Sequence, residues 1–409
     1  MFIIHFLKEQ AMRKLNLIIK FFKKIVFLLL ILFCETSFSH VGHSHGPSVV
    51  ASVSFDKSGT LWRVREQQGF VIVDSSNDQG LNFSKSINVN TELQKIGTSG
   101  DAKPKIAIGP EGNIYVTWTQ TLSKPYTGYI WFARSKDRGK TFELPQIVHQ
   151  DKSEITHRFD AINVNKDGRI FVAWVDKRDL EKAKLQKKEK EYKGAALYYA
   201  VSENFGESFK IERKIVDSSC ECCRIALTND SKGNIIAMWR QLYDKGIRDH
   251  AVAKIDINDN IVVNRDTFGG WKIDACPHHG PAITRGGDWG YHMAWFDGGE
   301  KVGLFYGRID GDAWVSSPPK RFGNANFQAG HPSLLSINEK VYLAWKEINE
   351  SGNYIVLAIS EDGGKNWLEA KTIKKTEGAS DYPELIQFNK KAFLSWNTIK
   401  DGYQLMALE

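Results

Sequence analysis

The chain has 409 residues, which would suggest two or three domains at roughly 150 residues per domain. A hydrophobic content of 42% is enough for a packed core and excludes a disordered protein. The formal net charge is +7, but 49 basic and 46 acidic residues follow residue 39. This near balance excludes a nucleic-acid-binding surface, because most of the excess basicity belongs to the N-terminal segment.

The first 39 residues have the pattern of a secretory signal. A basic stretch precedes the apolar run Ile25–Phe33, and small residues lead up to Ser39. We expect cleavage after about Ser39 and a periplasmic or secreted protein. A lipoprotein anchored through Cys34 is the less favoured alternative, because bulky Phe33 stands where a small residue is expected. No later apolar run reaches the roughly 18 residues that a membrane span needs.

Cleavage at this point would expose a His-rich N-terminus, residues 40–46, ahead of a single domain that covers residues 47–409. A free amine with His40, His43 and His45 close by is a competent ligand set for Cu(II). The alternative, given equal weight, is a flexible tail whose histidines have no role.

The remainder of the chain is an internal repeat. A hydrophobic strand that ends in tryptophan recurs every 50 to 65 residues, which indicates a solenoid, a propeller or an array. The tryptophans are Trp62, Trp118, Trp174, Trp239, Trp295, Trp345 and Trp396. Short strands precede and follow each copy, so the unit is four antiparallel strands, as in a propeller blade. We predict an all-β propeller of seven units, which begin near residues 47, 103, 158, 223, 281, 331 and 382; six blades is the alternative.

Polar turns within the units carry a second signature. Residues 76–83, 135–142 and 360–367 match the pattern Ser-x-Asp-x-Gly-x-Thr-Trp closely, and residues 202–209 are a weaker copy. The Asp accepts backbone N–H bonds inside a tight hairpin, and the Gly takes a conformation that other residues resist. On these motifs the chain resembles the sialidase-like Asp-box (BNR repeat) propeller superfamily over residues 47–409. The resemblance implies the fold but not an activity, and it implies that the Asp boxes lie on the face away from the active site.

The phase of the repeat places one loop of every unit at the mouth of the central channel. If the strands of a unit are ordered A to D from the centre outward, this loop is the one just before strand A. The chemically notable residues at this position are His40, His43, His45, Lys103, Lys105, His157, Arg158, Asp160, Cys220, Cys222, Cys223, Arg224, Cys276, His278, His279, His331, Asp381 and Tyr382. All four cysteines of the expected mature chain and most of its histidines therefore gather at one structural position, which is the main functional signal.

Two interpretations of the cysteines stay open. Cys276 of unit five could form a disulfide with a cysteine of unit four, since four is an even number and the compartment is oxidising. Alternatively, Cys220-x-Cys222-Cys223 and Cys276-Pro-His278-His279 supply thiolates and imidazoles suited to Cu(I) or Zn(II). The two histidines are unnecessary for a disulfide. In the metal interpretation, His331 and the N-terminal histidines 40, 43 and 45 are accessory ligands.

An enzyme is the second interpretation of the same face. The resemblance implies that a true sialidase holds a carboxylate with three arginines and uses a Tyr–Glu pair as nucleophile with an Asp acid/base. The family's Arg-Ile-Pro motif is missing here, because the first strand has Pro47-Ser-Val-Val50. Candidate catalytic residues under this hypothesis are Tyr382, Asp160, Arg158, Arg224 and Arg248. Further candidates are Arg240, Asp249, Asp297, Glu347 and Asp381.

The leading functional prediction is thus an exported, monomeric propeller that binds or handles a transition metal, copper or else zinc, and that works with a metal-delivery protein. The alternative is a sialidase-like glycoside hydrolase or a glycan-binding propeller. The third hypothesis is a structural or partner-binding propeller that is cross-linked by disulfides. The charged insert from Lys177 to Lys193 predicts a solvated helical arm on the same face.

Overall fold

The structure is a computed structural model, and it describes residues 49–98, 100–275, 278–287, 289–311, 313–324 and 326–408. The expected signal segment, the His-rich residues 40–46 and Cys276 lie outside the described residues. The account that follows concerns the described residues alone.

Antiparallel strands in groups of four make up most of the fold. The strands of the first two groups are β1 (Ala51–Phe55), β2 (Leu61–Gln67), β3 (Phe70–Ser76), β4 (Ile87–Asn88), β5 (Lys105–Ile108), β6 (Ile114–Thr121), β7 (Gly128–Ser135) and β8 (Gln146–Ile147). Those of the third and fourth groups are β9 (His157–Val164), β10 (Ile170–Asp176), β11 (Ala195–Ser202), β12 (Arg213–Ser219), β13 (Ala226–Asn229), β14 (Ile235–Tyr243), β15 (Ile247–Ile255) and β16 (Ile261–Arg265). One pairing, between Ser219 and Gln241, joins these two groups into an eight-stranded sheet.

The second half of the chain repeats the same pattern. Its strands are β17 (Ala282–Arg285), β18 (Gly290–Asp297), β19 (Gly303–Asp310), β20 (Lys320–Phe322), β21 (Gln328–Ile337), β22 (Lys340–Asn349), β23 (Gly352–Ser360), β24 (Lys371–Thr376), β25 (Glu384–Phe388), β26 (Lys391–Thr398) and β27 (Gly402–Leu408). The last group has three strands among the described residues. This confirms the predicted all-β architecture of four-stranded antiparallel units.

The core lies between neighbouring units. The second strand of a unit is buried on both faces, because the sheets of the two adjacent units cover it; β10, for example, is buried along its whole length. Trp118, Trp174, Trp239, Trp345 and Trp396 are among the largest fully buried side chains, so the repeated tryptophan is a core residue. Large aromatic rings suit this position because they fill the widening gap between the units and bury a large apolar area.

The first strands of the units form a closed ring. Along the chain each first strand contacts the first strand of the next unit, in the order β1, β5, β9, β13, β17, β21 and β25, and β25 contacts β1 again. The junction between the ends of the chain is polar: Asp381 Oδ2 accepts from Ala51 N at 2.9 Å, and Asn397 Nδ2 donates to the carbonyl of Val49 at 2.8 Å. The ring favours seven units, although the number of blades stays a prediction.

The Asp boxes have the hydrogen bonds that the motif predicts. In the second unit, Gly139 N donates to Ser135 Oγ at 2.8 Å and Thr141 N donates to Asp137 Oδ1 at 3.0 Å. Gly139 has φ of +74°, a region in which a Cβ is unfavourable. Hydrogen bonds from Thr141 lower the pKa of Asp137 to about 2, because they stabilise the carboxylate.

The aromatic residue of each Asp box packs against the preceding unit in the ring. Phe209 lies edge-on to Phe132 with ring centroids 4.9 Å apart, and Trp367 has the same relation to Tyr306 at 4.7 Å. Phe83 of the first unit meets Tyr403 of the last at 5.3 Å. The motif therefore joins neighbouring sheets as well as closing its own turn.

The charged insert contains helix α1 (Arg178–Leu185) and a single 3₁₀ turn, Glu189–Glu191, and neither has a buried residue. A second 3₁₀ turn covers Asp244–Gly246. No helix among the described residues has the length and apolar content that crossing a membrane requires.

Candidate functional site

Three cysteines of unit four form one compact group, called here the thiol cluster: Cys220, Cys222 and Cys223. They occupy the turn between β12 and β13, and all three side chains are buried. The Cys220 Sγ lies 3.7 Å from both Cys222 Sγ and Cys223 Sγ, and all three sulfurs lie within 4.8 Å of one another. The turn is fixed at its start, because Cys220 N donates to the carbonyl of Arg240 at 2.9 Å.

The thiol cluster lies in a positive electrostatic environment. Arg248 Nη1 donates to Cys220 Sγ at 3.1 Å, and Arg248 Nε is held by the carbonyl of Ile273 at 2.9 Å. Hydrogen bonds from the thiols of Cys222 and Cys223 hold the pKa of Cys220 well below its ordinary value, and Arg248 lowers it further. The Cys220 sulfur in turn raises the pKa of Cys223. A thiolate at Cys220 would thus be stabilised by hydrogen bonds from two thiols and from Arg248.

The disulfide prediction finds no support among the described cysteines. Cys220 Sγ lies 3.7 Å from the sulfurs of Cys222 and Cys223, far longer than a sulfur–sulfur bond of about 2.05 Å, so Cys220 is bonded to neither. A pairing that uses Cys276 concerns a residue outside the described ones, so it stays a prediction.

The predicted histidines lie elsewhere on the same face. His278 is exposed, whereas the ring of His279 stacks on Phe296 with centroids 4.2 Å apart. The His279 ring also lies 4.9 Å from that of His331, which stacks on Tyr382 at 3.5 Å. Among the described residues, the group of ligand atoms close enough to share one ion consists of the three sulfurs without these imidazoles.

A cavity of about 310 Å³ opens inside the ring of first strands, and we call it the central cavity. Every unit contributes to its wall, from Ser52 in the first to Tyr382 in the last. Its charged lining residues are Asp101, Lys103, Lys105, Arg224 and Glu384.

Ion pairs link the charged residues of the central cavity across units. Arg224 Nη1 lies 3.1 Å from Asp101 Oδ1, and Lys103 Nζ lies 3.0 Å from Asp381 Oδ2. Burial alone would raise the pKa of Asp101, but the Arg224 guanidinium lowers it below its ordinary value. Burial raises the pKa of Glu384, so its carboxyl retains a proton to higher pH than an exposed one.

Three buried polar atoms beside this cavity have no hydrogen-bond partner among the described residues: Asp101 Oδ2, His331 Nδ1 and Glu384 Oε2. His331 Nδ1 lies 4.0 Å from the other oxygen of Asp101. Burial lowers the pKa of His331 well below its ordinary value, so the ring is neutral and can donate or accept. The site thus retains hydrogen-bonding capacity that the protein does not use.

The residues predicted for a hydrolase are spread over several environments. Tyr382 and Arg224 line the central cavity, and burial raises the pKa of the Tyr382 phenol. Asp160 is buried and accepts from Thr117 and Thr119 at 2.8 and 2.9 Å.

The remaining arginine and carboxylate candidates have contacts of their own. The Arg158 guanidinium lies 4.9 Å from the ring centroid of Phe159, whereas Arg248 belongs to the thiol cluster's surroundings. Arg240 is fully buried and donates to the carbonyls of His279 and Phe296, both at 3.0 Å.

Among the other predicted carboxylates, Asp249 and Glu347 have structural partners. Asp249 pairs with Arg265 and accepts from Gly270 N at 3.1 Å. Glu347 Oε1 accepts from the Trp345 indole N–H at 2.8 Å. Asp297 is different, because its buried Oδ2 has no hydrogen-bond partner among the described residues.

No protein-family model matches the chain, and no curated protein matches its sequence. Solved structures do resemble it. An ulvan lyase has a TM-score of 0.52 at 12% identity, with 88% of this chain and 90% of that chain covered. The Hadza microbial sialidase Hz136 has a TM-score of 0.51 at 13% identity, covering 84% and 74%. A protein of unknown function from Dyadobacter fermentans has 0.50 at 14% identity, covering 76% and 93%.

The fold is that of a β-propeller. At these identities the likeness concerns the fold, which supports very different active sites. Within this propeller, sequence reasoning missed Asp101 and Glu384 as cavity residues. Both flank positions that the repeat had marked, since Asp101 stands two residues before Lys103 and Glu384 two residues after Tyr382. A wider window around the start of each first strand would have found them.

Proposed function

We propose that this protein is an exported propeller that binds a soft transition-metal ion, Cu(I) or Zn(II), through Cys220, Cys222 and Cys223. One observation carries the proposal: Cys220 Sγ lies 3.7 Å from each of the other two sulfurs. Metal–thiolate bonds of about 2.3 Å at tetrahedral angles place sulfurs about 3.8 Å apart. Two of the three sulfur–sulfur distances thus match the ligand spacing of such a site, and all three sulfurs lie within 4.8 Å of one another.

The surroundings of the thiol cluster suit a bound thiolate complex. Three thiolates around Cu(I) or Zn(II) carry net negative charge, and burying such a charge is unfavourable without nearby cations. Arg248 contacts Cys220 at 3.1 Å, and the Arg240 backbone carbonyl accepts from Cys220 N. The guanidinium of Arg248 would therefore compensate the charge of the site.

A cavity of about 570 Å³ beside the thiol cluster supplies a route to it. Arg248, Glu221 and Leu242 belong to its lining, and Lys193 lies at the end of the charged insert. Because Arg248 both lines this cavity and contacts Cys220, an ion would enter past its guanidinium. This arrangement fits transfer from a metal-delivery protein docked on the same face, as the sequence predicts.

The test is metal stoichiometry and affinity of the untagged protein, purified under reducing conditions and titrated with Cu(I) or Zn(II) against a chromogenic chelator. We expect one equivalent bound, and at least a 100-fold loss of affinity in Cys222→Ser. Glu221→Gln is the matched control, because it changes the same turn and leaves all three sulfurs in place. Unchanged affinity in Cys222→Ser would refute the proposal. So would three thiols that are blocked to alkylation in the untreated protein, which would indicate disulfides instead.

A second candidate is glycan binding or cleavage at the central cavity. The structural neighbours, a sialidase and an ulvan lyase, support this alternative more than they support metal handling. Within the chain, it is favoured by the unpartnered Asp101 Oδ2 beside Arg224 and Tyr382, since sugars offer many hydroxyl donors.

This candidate is tested by glycan-array binding and by turnover of chromogenic sialosides. We expect binding or turnover to fall at least tenfold in Asp101→Asn and in Tyr382→Phe. Tyr403→Phe is the control, because Tyr403 is also a buried phenol but packs against Phe83 on the opposite face. Equal loss in the control would indicate a folding defect. The absence of any glycan signal would leave the thiol cluster as the functional site.

A further inference from the structure

A second cavity, of about 480 Å³, lies between units four and five and away from both the thiol cluster and the central cavity. We call it the side cavity. Its wall is largely apolar, with the aromatic rings of Phe268, Trp295 and Phe305 and with Pro318 and Pro319. Phe268 is 72% exposed, and the Arg265 guanidinium lies 4.9 Å from its ring centroid.

Three carboxylates line the side cavity, Asp266, Asp297 and Glu300, together with one lysine, Lys301. Glu300 and Lys301 are exposed, whereas Asp266 and Asp297 are buried and form no ion pair among the described residues. Asp266 accepts from neutral donors alone, Ser316 Oγ at 3.2 Å and Trp314 Nε1 at 3.4 Å. Asp297 accepts from Gly299 N at 2.8 Å. Both residues are 4% exposed. Buried carboxylates are normally paired or coordinated, so two uncompensated ones in the same cavity require an explanation.

A comparison between units shows what is distinctive about Asp297. In units three, four and six the tryptophan at the end of the second strand donates its indole N–H to the side chain two residues later. These pairs are Trp174–Asp176, Trp239–Gln241 and Trp345–Glu347, at 2.8, 2.7 and 2.8 Å. Trp295 and Asp297 are the corresponding residues of unit five, yet Asp297 Oδ2 has no partner there.

Gly269 packs closely against this oxygen. A Cβ at Gly269 would lie 2.0 Å from Asp297 Oδ2, so a larger residue at this position would clash with the carboxylate. Gly269 also lines the side cavity. Burial raises the pKa of Asp266 to about 6, and burial together with Asp249 raises the pKa of Asp297, although Arg240 acts in the opposite direction.

We propose that the side cavity binds an organic cation with an apolar body, such as an alkyl- or arylammonium compound, whose ammonium group pairs with Asp297 and Asp266. The rings of Phe268 and Trp295 would stack on the apolar part and contribute cation–π attraction. A cation supplies the charge that the carboxylates lack, and a neutral ligand of the same shape does not. This inference is independent of the metal and glycan proposals, because it uses other residues.

The test is isothermal titration of the purified protein with benzylamine and with benzyl alcohol, its neutral counterpart, at pH 8. We expect benzylamine to bind at least tenfold more tightly than benzyl alcohol, and to lose at least tenfold in affinity in Asp297→Asn. Asp244→Asn is the matched control, because its carboxylate is fully exposed and does not line the side cavity. Phe268→Ala provides a second variant, since an exposed ring contributes little to folding and its loss should weaken benzylamine binding.

Three results would overturn the proposal: equal affinity for the two probes, benzylamine affinity unchanged in both Asp297→Asn and Phe268→Ala, or no binding of either probe at millimolar concentration. Tighter binding of a neutral methyl glycoside than of benzylamine would also overturn it, in favour of a sugar site. Thermal unfolding of each variant separates loss of binding from loss of the fold.

Discussion

At the scale of single residues, some buried charges of the propeller are compensated by a partner from another unit, as Asp101 is by Arg224. The buried charge of Lys346 is compensated less completely. Its side chain is 6% exposed, its Nζ donates to the carbonyl of Ser380 at 2.9 Å, and it lies 5.4 Å from the ring centroid of Tyr382. Burial lowers the pKa of Lys346 to about 8, although Asp381 acts in the opposite direction.

This pKa predicts a pH-dependent stability. The folded-state pKa of Lys346 lies below the unfolded value, so at pH 7 both states hold the proton and the folded state carries the full penalty of burying the charge. As the pH rises from about 8 to 10.5, the folded state releases the proton first and the penalty falls. We expect Lys346→Met to raise the free energy of unfolding by about 3 kcal/mol at pH 7, from 1.36 kcal/mol per pKa unit. The gain should shrink towards pH 10, as urea denaturation of both proteins would measure; a gain independent of pH would contradict this explanation.

At the scale of elements, the Asp box is a turn whose glycine serves two purposes. Gly139 has a positive φ, and a Cβ at this position would lie 2.4 Å from Cζ3 of Trp62 in the preceding unit. Gly112, in the turn between β5 and β6, has a similar φ of +82° with no heavy atom near its Cβ position. A substitution at Gly112 therefore tests backbone strain alone, whereas one at Gly139 tests backbone strain together with the contact to the neighbouring unit.

We expect Gly112→Ala to lower the free energy of unfolding by about 1 kcal/mol, because an alanine at positive φ is strained. Gly139→Ala should lower it by about 2 to 4 kcal/mol, because overpacking against Trp62 adds to the same strain. Guanidinium denaturation of the two variants measures the difference. Equal losses would mean that the contact between Gly139 and Trp62 relaxes without energetic consequence.

At the scale of the whole molecule, the ring closes through a buried polar junction. Asp381 accepts from Ala51 N, from its own neighbour Tyr382 N, and from Lys103 Nζ, so one carboxylate joins the last unit to the first two. Since the ends of the chain meet here, loss of this junction should weaken the ring as a whole.

We expect Asp381→Asn to lower the free energy of unfolding by about 3 kcal/mol, because the buried Lys103 ammonium loses its main partner. The double variant Asp381→Asn with Lys103→Met should recover at least half of that loss, because no unpaired charge then remains. Thermal or chemical unfolding of the two single variants and the double variant forms the cycle that measures the coupling. Simple additivity would show that the ion pair contributes little to closing the ring.

The sequence predicted the propeller because its signals are local and repeated. The tryptophan strands and the Asp boxes depend on residues within one unit, and copies at a constant phase reinforce one another. The same phase predicts one structural position for Arg224, Tyr382 and the cysteines. In the structure Arg224 and Tyr382 line the central cavity, and Cys220, Cys222 and Cys223 lie together in one turn. The expected signal segment, the N-terminal histidines and Cys276 stay predictions.

Only the tertiary structure showed which side chains from different units lie next to one another. Repeat phase specifies the end of a strand at which a residue stands, but not whether its side chain points to a neighbour, a cavity or the core. Arg240 and Asp160 share the predicted face yet are used as buried hydrogen-bonding groups, whereas Asp101 shares a cavity with Arg224 from two units away. The unpaired Oδ2 of Asp297 is recognisable as unusual when Trp295 and Asp297 are compared with the corresponding pairs in other units. Pairings between distant units depend on packing around the whole ring, and a single sequence does not encode such packing as a local pattern.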